Sequence, residues 1–179
     1  MIIKVRENLE LRTLIPENAE EVFGAIDKNR EYLREFLPWA DDAKSPETTK
    51  NTIEKWQKSL EAGTEICMGI FLDREYIGNI GIHELKSQNH SAEIGYWLAE
   101  DYQGRGIVTD CVRVIINYGF NELNLNRIYI CCVSKNKKSG AIPERLGFVK
   151  EAVLQDGEYF YGVYYDKVIY GMLKRNWAK

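Results

Sequence analysis

The chain has 179 residues, of which 45% are hydrophobic and 28% charged, enough for one domain with a sizeable core. A formal net charge of -3 argues against general nucleic-acid binding, although a local basic patch could still hold a phosphorylated ligand. Met1-Ile2-Ile3-Lys4 carries no apolar signal core, and no apolar run approaches the roughly 20 residues that cross a bilayer, so a cytoplasmic protein with no membrane partner is expected.

In chain order, Leu9 to Ile15 reads as a strand with Leu9, Leu11 and Thr13 on one face. Pro16-Glu17 opens a helix through about Asn29, with proline in the first turn where its missing N–H costs least. A short helix from Glu31 to Leu37 follows, bearing the aromatic residues Tyr32, Phe36 and Trp39 around its end. After Pro38 and the polar break Asp41 to Ser45, Pro46-Glu47 opens a third helix through about Ala62, ending near Gly63.

From Glu65 the pattern becomes that of strands: Ile66 to Leu72, Tyr76 to His83 and Ala92 to Leu98, with turns at Asp73-Arg74 and Ser87 to His90. Short turns make these an antiparallel meander. After Leu98 come Gly104-Arg105-Gly106 and an amphipathic run in which Ile107, Val108, Cys111, Val112, Ile115 and Tyr118 recur at helical spacing, to about Asn121–Asn124. Arg127 to Val133 is apolar on both faces, as in a strand covered on both sides. A polar loop, Ser134 to Ser139, precedes a short helix ending at Leu146-Gly147-Phe148. Two strands, Val149 to Phe160 and Val163 to Leu173, close the chain. Their aromatic set, Tyr159, Phe160, Tyr161, Tyr164, Tyr165 and Tyr170, reads as sheet packing with one or two rings left to wall an acceptor groove.

The strand, glycine loop and helix around Gly104 form the arrangement that suits a phosphate. Gly104 and Gly106 leave backbone N–H groups open at the positive end of a helix, and Arg105 adds a full positive charge. The plain alternative is a tight turn feeding a packed helix. A nicotinamide loop fits poorly, because its third glycine would fall at Thr109, and a Walker loop is excluded because no glycine is followed by Lys and Ser or Thr. The four cysteines, Cys67, Cys111, Cys131 and Cys132, lie in apolar runs without paired ligand spacing, and only His83 and His90 could join them, so core cysteines and no metal are expected. Cys131 and Cys132, adjacent on a strand, point to opposite faces and cannot readily bridge each other.

The glycine loop, followed by Asn136-Lys137-Lys138-Ser139 and by Pro143-Glu144-Arg145-Leu146-Gly147-Phe148, resembles the GNAT acyltransferase superfamily and, within it, the RimJ/RimL branch of ribosomal-protein N-terminal acetyltransferases. The resemblance runs from Leu11-Arg12 through the final strand. It implies a single α/β domain over residues 1–179, with a mixed, centrally splayed sheet flanked by helices. It also implies acetyl-CoA as acetyl donor, bound where Glu93–Leu98 and Arg127–Val133 splay apart. By the same resemblance Tyr96, Trp97 and Leu98 line the pantetheine arm, and Gly104, Arg105, Gly106, Ile107, Val108 and Thr109 receive the pyrophosphate. Asn136 and Ser139 touch the cofactor near its reactive end, and Lys135, Lys137 and Lys138 are candidates for the nucleotide phosphates.

The chain departs from the family pattern at two places. Asp101 stands where relatives often carry Gln or Arg, and an ionised carboxylate cannot donate to phosphate. Pro143 stands where many relatives place the tyrosine that protonates the departing thiolate; proline also frees the carbonyl of Ser139 from a helical bond, so a late helix start is expected.

The chemistry is modest, since a thiolate of intrinsic pKa around 8.5 leaves readily. The amine is the harder problem. An α-amino group near pKa 8 is roughly one-tenth neutral at pH 7, and a lysine near 10.4 about one part in two thousand, so a protein N-terminus needs only a weak base. The RimL-like pattern places that base at Glu158 and a serine assisting thiolate departure at Ser139, with His83 and Glu84 as fallbacks. A surface carboxylate and a helix-capping serine are the plain alternatives. The acceptor implied is the N-terminal α-amine of a ribosomal protein; a polyamine or aminoglycoside-like amine is the alternative, and a non-catalytic acyl-CoA sensor a third reading. A homodimer or other homo-oligomer is left open.

Overall fold

The computed structural model describes residues 1–85 and 88–177. Strands β1 (Ile2–Lys4) and β2 (Leu9–Thr13) lead through a 3-10 turn at Pro16–Asn18 to α1 (Ala19–Lys28), α2 (Arg30–Arg34), a second 3-10 turn at Pro38–Asp41 and α3 (Pro46–Glu61). Then come β3 (Ile66–Leu72), β4 (Glu75–His83), β5 (Ser91–Leu98), α4 (Ile107–Asn121), β6 (Arg127–Val133), α5 (Lys137–Arg145), β7 (Val149–Phe160), β8 (Val163–Leu173) and α6 (Lys174–Trp177). The eight strands make one mixed sheet in the order β1-β2-β3-β4-β5-β6-β8-β7, with β5 and β6 parallel. No helix among the described residues is long and apolar enough to cross a membrane.

Contacts group the chain into two compact units, Met1–Gly81 with Tyr96–Cys111, and Ile82–Gly95 with the residues from Val112 onward. In the first, β2 alternates buried Leu9 and Leu11 with Glu10 and Arg12, and pairs antiparallel with β3 from Leu9↔Leu72 to Thr13↔Met68. Val22 and Ile26 of α1, Leu33 of α2 and Ile53 of α3 pack with Leu14, Phe71, Tyr76 and Trp97 into one apolar cluster. Truncating Ile53, which has no exposed surface, to Ala would cost about 2–5 kcal/mol. Helix α3 starts where expected, because the Ser45 hydroxyl accepts the Thr48 N–H at 3.2 Å and Pro46 fills the first position.

Three boundaries differ from expectation in this unit. The helix expected from Pro16 begins as a 3-10 turn, with the Asn18 carboxamide accepting the Ile15 N–H at 3.0 Å and tightening it. Asn29 lies outside α1: its carboxamide donates to the Ala25 carbonyl at 2.8 Å and accepts the Glu100 N–H at 2.9 Å, so it ties the helix end rather than extending it. The next helix stops at Arg34 instead of Leu37, which precedes Pro38 and is held out of the helical region at φ -129°.

In the second unit, buried Ile115, Ile116 and Phe120 of α4 accompany buried Ile128 and Ile130 of β6. The β7–β8 hairpin turns at Tyr161–Gly162, both with positive φ (51° and 76°), and pairs Phe160↔Val163. Asp156–Gly157, a pair whose composition could also turn a hairpin, is instead a bulge between Leu154 and Glu158, which leaves Glu158 inside the strand. Phe160 and Tyr170 are buried, whereas Tyr159 and Tyr164 are exposed and pair ring to ring at 4.6 Å. Helix α5 starts at Lys137, earlier than expected, because the Asn136 side chain caps it; Pro143 sits inside the helix without delaying its start. Short β1 and α6 carry too little pattern to be read from sequence; α6 is held by Trp177 Nε1 donating to Asn117 Oδ1 at 2.6 Å. The expected turn at Ser87 to His90 begins outside the described residues.

Candidate functional site

In the first unit, Gly104 and Gly106 both sit at φ +73°, in the left-handed region that glycine adopts without strain. The ladder of α4 begins with the Asp110 N–H bonding the Gly106 carbonyl at 3.1 Å, so the N–H groups of Ile107 and Val108 are not spent on it. The side chains of Ile107, Val108 and Thr109 are buried, and the stretch presents backbone. A Cβ at Gly104 would meet nothing within 4 Å. Open backbone donors at a helix N-terminus fit a pyrophosphate.

The charges around this loop are arranged differently from expectation. Arg105 turns back, donating from Nη2 to the Asp101 carbonyl at 2.8 Å and standing 5.2 Å over the Tyr102 ring. The cation that reaches the loop is Arg6: its Nε donates to Asp110 Oδ2 at 2.6 Å and its Nη2 to the Arg105 carbonyl at 3.3 Å. Asp101 pairs with Lys28 at 2.9 Å, and the lysine holds that carboxyl below its usual range. Trp97 packs against Tyr76 and Trp39, with ring centroids 6.0 and 6.1 Å apart, so its side chain belongs to the core. Leu98 is likewise buried and Tyr96 half-buried, which leaves backbone as the main offering of this strand end.

In the second unit, parallel pairing of β5 with β6 covers Ser91↔Arg127, Ala92↔Ile128 and Glu93↔Tyr129, and among the described residues goes no further. One face of these strands is polar. Burial pushes the Glu93 carboxyl up, while Lys167, His83 and a hydrogen bond with Cys131 oppose that shift. Lys167 Nζ lies 2.7 Å from Glu158 Oε1, and Glu158 stands opposite Tyr165 in the hairpin register. The Glu158 bond raises the lysine. Tyr129 donates to Glu84 Oε2 at 2.6 Å. The His83 ring comes so near β5 that a Cβ at Gly95 would stand 3.3 Å from its Nε2. Glu158 and both fallback candidates thus share a neighbourhood with Glu93.

Ser139 belongs to the other side of β6. Its N–H bonds Asn136 Oδ1 at 3.0 Å, so Asn136 is the helix cap and Ser139 is not. The Ser139 hydroxyl bonds the Cys132 thiol, which burial pushes up. Cys131, on the opposite face, is pushed up to about 12 by burial and by Glu93. All four cysteines are free; Cys111 is buried, and Cys67 on β3 and Cys131 and Cys132 on β6 are partly buried. Lys135 stands 5.1 Å over the Tyr165 ring, and Lys137 and Lys138 are exposed.

Sequence reasoning missed Arg6, Lys167 and the role of Glu93. Glu93 had a signal, as the one charged residue in the apolar run Ala92–Leu98. Arg6 had none, because its partners are about a hundred residues away.

The profile described as Acetyltransferase (GNAT) domain matches residues 8–149. The chain is 39% identical over 175 residues to YdaF of Bacillus subtilis (strain 168), whose name assigns it provisionally as a ribosomal N-acetyltransferase, covering 97% of this chain and 96% of that one. It is 31% identical to the ribosomal-protein-serine acetyltransferase of Escherichia coli (strain K12), over 96% of each chain. The solved structure of RimL, a ribosomal L7/L12 alpha-N-protein acetyltransferase in complex with coenzyme A, superposes with a TM-score of 0.93 at 27% identity, covering 97% of this chain and 98% of that one. The chain therefore belongs to the GNAT superfamily and is an acetyl-CoA-dependent N-acetyltransferase of its RimJ/RimL-like branch.

Proposed function

We propose that this protein transfers the acetyl group of acetyl-CoA to the N-terminal α-amine of a ribosomal protein, the whole chain acting as one catalytic domain. The observation that carries the acceptor is the similarity to the E. coli ribosomal-protein-serine acetyltransferase along 96% of both chains. In this reading acetyl-CoA supplies an activated acyl thioester. Backbone N–H groups from Gly104 to Val108 hold its pyrophosphate. Glu158 takes the proton from the attacking amine, directly or through one water, while Lys167 holds the carboxylate in place. Glu93 is another carboxylate on that face, and burial pushes its carboxyl up. Ser139, expected to assist the departing thiolate in place of the tyrosine that Pro143 replaces, stands on the other side of β6, bonded to the Cys132 thiol, and takes no part in this proton transfer.

The acidic residues Glu84, Glu93 and Glu158 on one face also suit a polyamine, which is the second reading. Mass spectrometry of ribosomal-protein N-termini in cells with and without this protein separates the two. Loss of acetylation at one N-terminus supports the proposal; unchanged N-termini together with turnover of polyamines would replace it. On peptides, the α-amine should outrun a lysine side chain by about a hundredfold near pH 7, following their neutral fractions.

A further inference from the structure

We infer that Arg6 is a positioning residue for the cofactor loop, acting on Gly106 and on Asp110 from the segment that joins β1 to β2. The inference rests on the reading that Gly104–Val108 holds the pyrophosphate. Two contacts carry it. Nη2 of Arg6 donates to the Arg105 carbonyl at 3.3 Å, and Nε donates to Asp110 Oδ2 at 2.6 Å. In a trans peptide the carbonyl and the following N–H point in opposite directions, so fixing the Arg105 carbonyl toward Arg6 aims the Gly106 N–H away from it. That N–H is one of the donors a phosphate needs. Gly104 and Gly106, on either side of Arg105, have little stiffness of their own and both adopt φ +73°, so an external tether sets the loop's direction.

The second contact answers an electrostatic problem. Asp110 lies in the first turn of α4, where its carboxylate favours the helix dipole yet repels any anion bound at the same end. Arg6 supplies the countercharge at hydrogen-bond distance. With its side chain 40% exposed, the pair contributes little to folding stability. Its effect should therefore appear in ligand binding rather than in melting temperature.

The test compares the protein with its variants Arg6→Ala, Arg6→Lys, Asp110→Asn and the double variant Arg6→Ala/Asp110→Asn. Calorimetry gives the acetyl-CoA Kd, steady-state kinetics gives KM for each substrate and kcat, and melting reports folding. Arg6→Ala should weaken acetyl-CoA about tenfold, the effect of losing a charge-assisted bond. Its kcat at saturating acetyl-CoA, its acceptor KM and its melting temperature should stay close to the parent's. Arg6→Lys should fall between, since an ammonium can meet Asp110 but lacks the second N–H arm. The double variant should recover roughly threefold of the lost affinity, because the carboxylate that repels the bound anion is gone. Unchanged acetyl-CoA affinity in Arg6→Ala overturns the inference, as does a double variant no better than Arg6→Ala or an equal rise in acceptor KM. A parent protein that binds no acetyl-CoA would instead overturn the phosphate-loop reading beneath it.

Discussion

At Gly104–Val108 the chain offers backbone N–H groups with little side chain around them, whereas from β4 to β8 it offers carboxylates, an imidazole, a lysine and a thiol gathered from positions as far apart as His83 and Lys167. The loop is built from two glycines, one helix start and an arginine that turned back, with Arg6 reaching it from the β1–β2 segment. The polar face is non-local, since Glu93 meets Cys131, and Lys167 meets Glu158, through strand register. A backbone device tolerates almost any side chain nearby but no change in φ. A side-chain device tolerates backbone adjustment but not the loss of a particular carboxylate.

The sharpest way to break this contrast is Gly106→Val. A branched residue at φ +73°, with its Cβ 3.4 Å from Arg6 Nη2, would strain the loop and intrude on the donors. Acetyl-CoA binding should fall by at least about a hundredfold in a protein that still melts cooperatively. Calorimetry showing parent-like affinity would place the phosphate elsewhere.

Next in size is Glu158→Gln, expected to lower kcat about a hundredfold at pH 7 with acetyl-CoA affinity intact, and to recover part of the rate as rising pH neutralises the amine. Parent-like turnover at pH 7 would move the base to Glu93, His83 or Glu84.

A smaller effect separates burial from catalysis at Glu93. Burial raises its carboxyl in the folded protein, so its contribution to stability is full below the unfolded carboxyl value of about 4.3 and is lost as pH rises through the higher folded value. Glu93→Gln should therefore melt with the parent near pH 4 and above it, by about a degree or two, near pH 8, the site being partly open to water. Identical melting at pH 8 would mean that the carboxyl is fully hydrated. The smallest change is expected of Asp101→Asn: the exposed pair with Lys28 already offsets that charge, so acetyl-CoA affinity should stay within about twofold. A large gain in affinity would show that Asp101 opposes the phosphate despite the pairing.

Elements with a strong period were legible. Strands Ile66–Leu72, Arg127–Val133, Val149–Phe160 and Val163–Leu173 match to the residue. Pieces set by a single polar contact were not. Asn18 tightens the first turn after Pro16, Asn29 ends α1 and Asn136 starts α5 early, and each asparagine could equally have been loop. Trp97, expected along the pantetheine arm, turned its ring into the core, since an aromatic in an apolar strand carries no mark of which side is ligand.

By itself, the sequence determined the family, the order of elements and the place of the glycine loop, all of which depend on residues near one another in the chain. It also confined the hairpin turn to Tyr161–Gly162 or Asp156–Gly157, the two glycine-bearing breaks between Val149 and Val163. Tertiary structure chose the first and made the second a bulge, and so put Glu158 within reach of Lys167. It likewise brought Arg6 to Asp110 across 104 residues. Pairings of this kind depend on register and loop closure, and no local propensity encodes which distant charge a given arginine will meet.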